Sequence, residues 1–436
     1  MRILQSSEAD AVFARRTGRM AEALEAVAPI LEDVRARGDE ALLEWAKRFG
    51  DDVPPGSTGS QPVSPTSGSK PGSPRHLGSR WPCVPYDDLQ AAEARLEPDL
   101  LRAMDNAASN IRAFARTQMP QPTQCEPMPG VRLSTLVRPL DVVGAYVPSG
   151  RYPLPSTVLM TVVPAQVAGV GRIVVASPRA SDAIDGLAFR LGVDDVVRIG
   201  GAQAIAAMAF GTESVPRCDR VVGPGNIYVA AAKRLLAGEV GIEFVAGPSE
   251  VLILAEDGDP RALAADLLAQ AEHDEDASAV LVTTSQALAE AVAVEIERQL
   301  QGLPTADTAR RALETNGAIV IVRSVNEAIE LANSYAAEHL CVPSADWLAQ
   351  IRHAGSVFVG PFSPEPAGDY ASGTNHVLPT GGVARLRGGL SAADYVKVIS
   401  VQELTREGLA ALAGTVTTLA RAEGLEAHAR SVEVRL

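Results

Sequence analysis

A chain of 436 residues, 46% hydrophobic and 21% charged, is long enough for two or more packed units, each with its own core. Its formal charge of −14 and its lack of any basic run argue against a nucleic acid or an anionic membrane as partner, since both require clustered Lys and Arg. A small substrate is the expected ligand class.

The first 50 residues carry apolar side chains at three- and four-residue steps as far as Gly50, which predicts helix. From Asp51 to Pro82 the chain is nearly all Pro, Gly, Ser and Thr, a composition that buries too little apolar surface to offset its ordering entropy, so a mobile loop or linker is expected. Helical pattern resumes at Asp87, with Pro98 placed for the first turn of a second helix. From about residue 131 short β-branched runs alternate with Ala-rich ones. "DVVGAYV", "RIVVASP", "DDVVRIGG" and "DRVVGPGN" are each followed by a helical stretch, as are "EVLILAE", "ASAVLVTT" and "AIVIVRS". Strand, glycine turn and helix in series is the pattern of parallel sheets covered on both faces. The most apolar stretch, "VLMTVVPAQVAGVGRIVVA" from Val158, is broken by Pro164, two glycines and Arg172, so it reads as core and not as a bilayer span. "SVNE" at 324–327 and "SVQE" at 400–403 fit capping boxes, the second expected to open a long helix through Glu423. "MRILQSSEAD" has no apolar h-region, for which a cytoplasmic location is expected. Four separated cysteines with no CxxC pair read as reduced thiols, neither a disulfide framework nor a thiolate metal site.

Glycine turns before helices offer free N–H groups and a positive dipole end to an anion; Gly200-Gly201 and Gly223-Pro224-Gly225 are two such turns. No GxGxxG follows a strand, so a standard Rossmann fingerprint is absent. Five of the six histidines fall after residue 270, and four of these keep polar company: His273 with Gln270 three residues before it, His339 with Glu338, His376 in "GDYASGTNHVLPT" and His428 with Glu423. Neutral imidazoles with carboxylate and amide oxygens suit Zn²⁺ or a similar divalent ion. A lone histidine on a helix is more often structural, and an adjacent Glu-His pair at a helix end more often a solvated one.

The motifs "GAYVPSGRYPLPSTVLM", "GGAQAIAAMAFGT", "VVGPGNIYVAAAKR", "AGPSEVLI", "QAEHD", "AEHL", "GDYASGTNHVLPT" and "LEAHARSVEVR" resemble, in order, those of histidinol dehydrogenases. The resemblance implies an NAD- and zinc-dependent homodimer that oxidises L-histidinol to L-histidine through L-histidinal, the last steps of histidine biosynthesis. It implies an α/β fold of two incomplete Rossmann-like parallel-sheet domains with small helical N- and C-terminal pieces. The expected divisions are an arm at 1–22, a first α/β domain from 23–143 and 249–390, a second, NAD-side domain at 144–248, and a helical tail at 391–436. Zinc ligands would be Gln270, His273, Asp369 and His428. Ser249, Gln270, His273, His339, Asp369, His376, Glu423 and His428 would contact substrate, and Tyr146, Gln203 and Asn226 would line the NAD site. His339 would act as base in the oxidations and Glu338 would activate water for the aldehyde, with Glu423 and His428 reaching into the neighbouring subunit. Ala337 stands where the family commonly has proline, and a paralogue oxidising another primary alcohol, or a non-catalytic protein keeping the fold, is the alternative.

Overall fold

The computed structural model describes residues 1–9, 18–53, 81–149, 153–193 and 195–436, so most of the segment read as a loop or linker, 54–80, lies outside the described residues. The α/β expectation holds in two parallel sheets. One has six strands in the order Arg2–Gln5, Ala318–Ile321, Ser278–Thr283, Glu250–Ala255, His339–Val342 and Ser356–Val359. The other has five, in the order Asp195–Val197, Arg172–Ala176, Val142–Tyr146, Arg220–Val222 and Gly241–Ile242. Their central strands are continuous apolar runs because both faces are covered; every residue of Glu250–Ala255 is buried.

Helices fill the layers. Pro155 opens the helix Pro155–Ala168, which ends at Gly169 in the left-handed region, and its apolar surface is buried nearly all round. The alanines of Gly201–Phe210 lie in one core with Ala23, Val27, Leu31 and Leu42, while Met104, Ala108 and Ile111 share a second core with Val143, Val158 and Val175. The helices between 18 and 117 therefore pack on the five-stranded sheet. This differs from the expected grouping of 23–143 with 249–390: the buried side chains of these helices share their cores with those of 155–168 and 201–210.

Two further expectations are corrected. The first five residues are not helical: Arg2–Gln5 forms an edge strand paired with 318–321, a partner more than 300 positions away that no local periodicity reveals. "SVQE" opens no helix, since Ser400–Glu403 lies inside the strand Val396–Leu404, antiparallel to Val131–Pro139 in a three-stranded sheet completed by Gln124–Met128. The following helix, Arg406–Ala422, is capped by Thr405, whose Oγ1 accepts the Gly408 N–H at 3.1 Å. At the other box Ser324 does cap its helix, accepting the Glu327 N–H at 3.3 Å.

The two parallel sheets carry the candidate site residues at opposite ends. Tyr146, Gly200 and Gly223 follow strands of the five-stranded sheet at their C-terminal ends, whereas Ser249, Glu250 and His339 sit at the N-terminal ends of theirs. The units join where the Asn375 side chain donates to Met160 O at 2.7 Å and His376 Nε2 meets Thr157 Oγ1 at 3.3 Å.

Candidate active site

Helix Val325–Tyr335 ends at Ala336, which takes a left-handed φ of 53° and turns the chain so that His339 becomes the first residue of a central strand. That strand pairs His339 with Val251, which brings the Glu250 peptide alongside. Glu338 and His339 are both fixed by that one residue's backbone: the Glu338 carboxylate accepts the Glu250 N–H at 2.8 Å, and His339 Nδ1 lies 3.1 Å from Glu250 O. With Nδ1–H donating to a carbonyl, the neutral ring carries its lone pair on Nε2. This nitrogen is buried without a hydrogen-bond partner and lies 3.5 Å from Asp369 Oδ1.

The short helix Glu365–Tyr370 sets Glu365 and Asp369 four residues apart, on one face. Glu365 is fully buried, with Oε1 3.9 Å from His339 Nδ1. One ligand atom from each of His339, Glu365 and Asp369 falls within 4.8 Å of the others, a spacing that can hold a metal ion. Gln270, at the end of Pro260–Ala271, is fully buried. With its NH₂ turned to Glu365, its amide donates to that carboxylate at 3.0 and 3.3 Å, which leaves the amide oxygen free to face a cation. His273 is exposed, its Nδ1 3.3 Å from Gln270 O, and its charge acts on both Glu365 and Asp369. His376 Nδ1 lies 3.0 Å from Asp369 O.

Charge in this cluster is strongly perturbed. Burial pushes Glu338 up to about 8 and Glu365 up to about 7, against the pull of His339. Burial opposes the charge of His339, but Glu338, Glu365 and Asp369 outweigh it and lift the imidazole to about 10. Burial likewise works against Asp369, yet His339 beside it, with His376 and His273 beyond, holds its carboxyl below the usual value. An excess of acidic groups around a buried, unpartnered imidazole nitrogen, with amide oxygen at hand and no thiolate, is a donor set that fits a divalent cation such as zinc.

The structure thus gathers Glu338, His339, Gln270, His273, Asp369 and His376 into one cluster, with Ser249 half-buried beside Glu250. Glu423 and His428 stand apart, both exposed on the C-terminal helices, which pack on each other and on the strand 396–404. Tyr146 and Gln203 meet at the Gly200–Gly201 turn: the Tyr146 hydroxyl accepts the Gly201 N–H at 3.1 Å, and Gln203 Nε2 donates to Asp51 at 3.1 Å. Asp51 also accepts the Gly200 N–H at 3.0 Å, so a carboxylate of the chain itself occupies this helix N-terminus. Asn226 is exposed and caps Ile227–Leu236, accepting from Tyr228 N and Val229 N.

Sequence reading missed three participants. Glu365 stands one helical turn before Asp369, a spacing that would have flagged it; Glu250 acts through its peptide and Asp51 through the fold, and neither leaves a local signal.

A sequence profile described as histidinol dehydrogenase matches residues 78–436. The histidinol dehydrogenase of Geobacter metallireducens is 44% identical over 436 residues, covering 98% of this chain and 94% of that protein. That of Methanothermobacter thermautotrophicus is 48% identical over 362 residues, covering 81% of this chain and 85% of its own length. The crystal structure of histidinol dehydrogenase from Elizabethkingia anophelis superposes with a TM-score of 0.88 at 34% identity, covering 100% of this chain and 97% of that one. Likeness over whole chains, on a fold that assembles a buried Glu-His pair beside a metal-competent cluster, places this protein in the histidinol dehydrogenase family, the oxidoreductases of the last steps of histidine biosynthesis.

Proposed function

We propose that the chain carries out the four-electron, NAD-dependent oxidation of L-histidinol to L-histidine through L-histidinal, in the cytoplasm, as a zinc-containing homodimer. The observation that carries this reading is the pinning of Glu338 and His339 to the backbone of one residue, with His339 Nε2 left buried and unpartnered beside Asp369. Oxidising a carbinol requires a base for the hydroxyl proton, and oxidising the resulting aldehyde requires water to be activated. With the ring neutral, His339 Nε2 is the base, held in its tautomer by the Glu250 carbonyl. Glu338, mostly protonated at neutral pH because of its burial, gives up that proton at higher pH and then takes one from water.

Gln270, His273 and Asp369 would hold the metal together with His428 of the partner subunit. Bound there, zinc would anchor the imidazole and amine of the substrate and repel the proton from His339, keeping the ring a neutral base. Ser249, His376 and Glu423 of the partner subunit would complete the substrate's surroundings. Tyr146, Gln203 and Asn226 would line the cofactor site, and bound NAD would supply the hydride acceptor for each oxidation. The Asn226 carboxamide oxygen is engaged in the helix cap, so this side chain offers a ligand its NH₂ alone, a donor suited to phosphate or ribose oxygens.

The shared site is supported by the C-terminal arm, which exposes Val398, Ile399, Leu419, Leu425 and Val434 together with Glu423 and His428. No helix among the described residues is long and apolar enough to cross a membrane. The test is stoichiometric: purified protein supplied with L-histidinol and NAD should release two NADH per histidinol and accumulate little free aldehyde. One NADH per substrate, or turnover only with other primary alcohols in a panel, refutes the assignment.

A further inference from the structure

Outside the metal-competent cluster, a deeply buried ion pair joins Lys233 and Glu243, 2.7 Å apart with side chains 4% and 2% exposed. Both ends of the pair also hold the same glycine. Lys233 Nζ donates to Gly223 O at 2.5 Å, and Glu243 Oε1 accepts the Gly223 N–H at 3.0 Å. Gly223 has a φ of 112°, and a Cβ there would stand 2.1 Å from the carbonyl oxygen of Tyr146. It is therefore wedged between the end of the strand Val142–Tyr146 and the ion pair. Two residues on, a Cβ at Gly225 would meet Val229 Cγ1 at 2.4 Å, and Asn226 is locked as the helix cap. The Gly223-Pro224-Gly225-Asn226 loop is thus held at one end by the ion pair and at the other by the helix cap, with the φ of Pro224 set by its ring.

Stability alone is a weak account of such a pair. Desolvating two charges costs about as much as their attraction returns, and well-packed apolar side chains of similar volume would serve a core as well or better. What an apolar pair cannot do is satisfy the N–H and C=O on either side of one residue at once and so select a single loop conformation. We propose that Lys233 and Glu243 are positioning residues that pre-organise the loop 223–226 for the dinucleotide cofactor, acting through Gly223. The inference rests on the reading that places Tyr146 and Asn226 in the cofactor site. Neither charged group contacts the cofactor; their effect is on the ordering cost that binding would otherwise incur.

The experiment measures NAD affinity by calorimetric titration of the intact protein, and steady-state kinetics with NAD varied and then histidinol varied. Lys233→Met and Glu243→Gln should each raise Kd and KM for NAD by about ten- to hundredfold, the scale of effect expected when binding must order a loop that was ordered beforehand. Turnover at saturating NAD, KM for histidinol and metal content should change by less than about threefold, because the site of chemistry is untouched. Lys233→Arg, which keeps the charge and the donors, should retain more affinity than Lys233→Met. Wild-type NAD affinity in Glu243→Gln, the isosteric and least disruptive change, overturns the proposal, whether or not Lys233→Met folds. A lowered melting temperature with unchanged NAD affinity overturns it too, since it would make the pair structural. Asn226→Ala separates the two levels of inference. If it binds NAD normally, the cofactor-site reading fails; if it binds weakly while the ion-pair variants bind normally, only the positioning role fails.

Discussion

At residue scale, Glu338 and His339 differ in what holds them and so in what their loss should do. Burial lifts the Glu338 carboxyl to about 8, so the fraction able to accept a proton from water grows as pH rises through that value. The aldehyde-to-acid half-reaction should therefore accelerate between pH 7 and about 9. Glu338→Gln should slow that half by on the order of 10²–10⁴-fold and flatten its pH dependence, with less effect on the alcohol half, whereas His339→Asn should slow both. Stopped-flow NADH traces with histidinol and with histidinal as separate substrates, across this pH range, decide it; equal slowing of both halves by Glu338→Gln would remove the division of labour. Glu365 belongs to the same scale. With the Gln270 NH₂ turned to it, its carboxylate accepts from that amide and so turns the amide oxygen toward the cluster. Glu365→Ala is expected to lower metal affinity ~10–100-fold, the usual effect of losing a group that orients a ligand. Competition with a chelator of known affinity measures this directly, and an unchanged metal Kd would show that Gln270 needs no such support.

At element scale, the pair's position depends on how helix Val325–Tyr335 ends. Ala336 is the one non-glycine residue with positive φ among the described residues, and it is fully buried. An L side chain in that region costs about 1–2 kcal/mol, while glycine would forfeit buried surface and gain unfolded-state freedom of similar size. Ala336→Gly should accordingly lie within about 1 kcal/mol of the parent in chemical unfolding. Ala336→Val should lose on the order of 2–4 kcal/mol and also lower activity, because a β-branched residue resists this φ and would move the turn that delivers Glu338 and His339. Tolerance of valine in both measurements would show that the turn is not a constraint. The same scale explains what could be read from sequence. The buried strands were legible because "EVLILA" and its like need no partner to declare themselves. "SVNE" and "SVQE" carry the same local signal, yet only the first caps a helix; the second is drawn into a nine-residue strand by antiparallel pairing with 131–139, which no window of a few residues contains. Site residues bearing their own chemistry, such as Gln270, Asp369 and His339, were visible in their motifs. Glu250, whose backbone holds both members of the pair, was visible solely in the fold.

At the scale of the whole molecule, the C-terminal arm is the open question that subunit mixing can answer. Within one chain the cluster collects Gln270, His273, His339, Glu365 and Asp369, while Glu423 and His428 remain exposed on helices that pack only on their own arm and its sheet among the stronger contacts described. An arm with Leu419 59% and Val434 80% exposed carries more apolar surface to solvent than its own packing explains. In a two-fold dimer each tail would reach the other subunit's cluster, and the reciprocal contact would follow from symmetry. Glu338→Gln/His339→Asn subunits have a dead cluster and a sound tail; His428→Ala subunits have the reverse. Each homodimer should be inactive, but a heterodimer would join the sound cluster of the second to the sound tail of the first, restoring one of its two sites. Random exchange of equal amounts makes half the dimers mixed, so activity should recover to roughly a quarter of the wild-type value. Recovery should track the heterodimer fraction measured by native mass spectrometry as exchange proceeds. If mixed dimers form and activity stays at the homodimer level, the site is completed within one chain and His428 acts, if at all, on its own subunit.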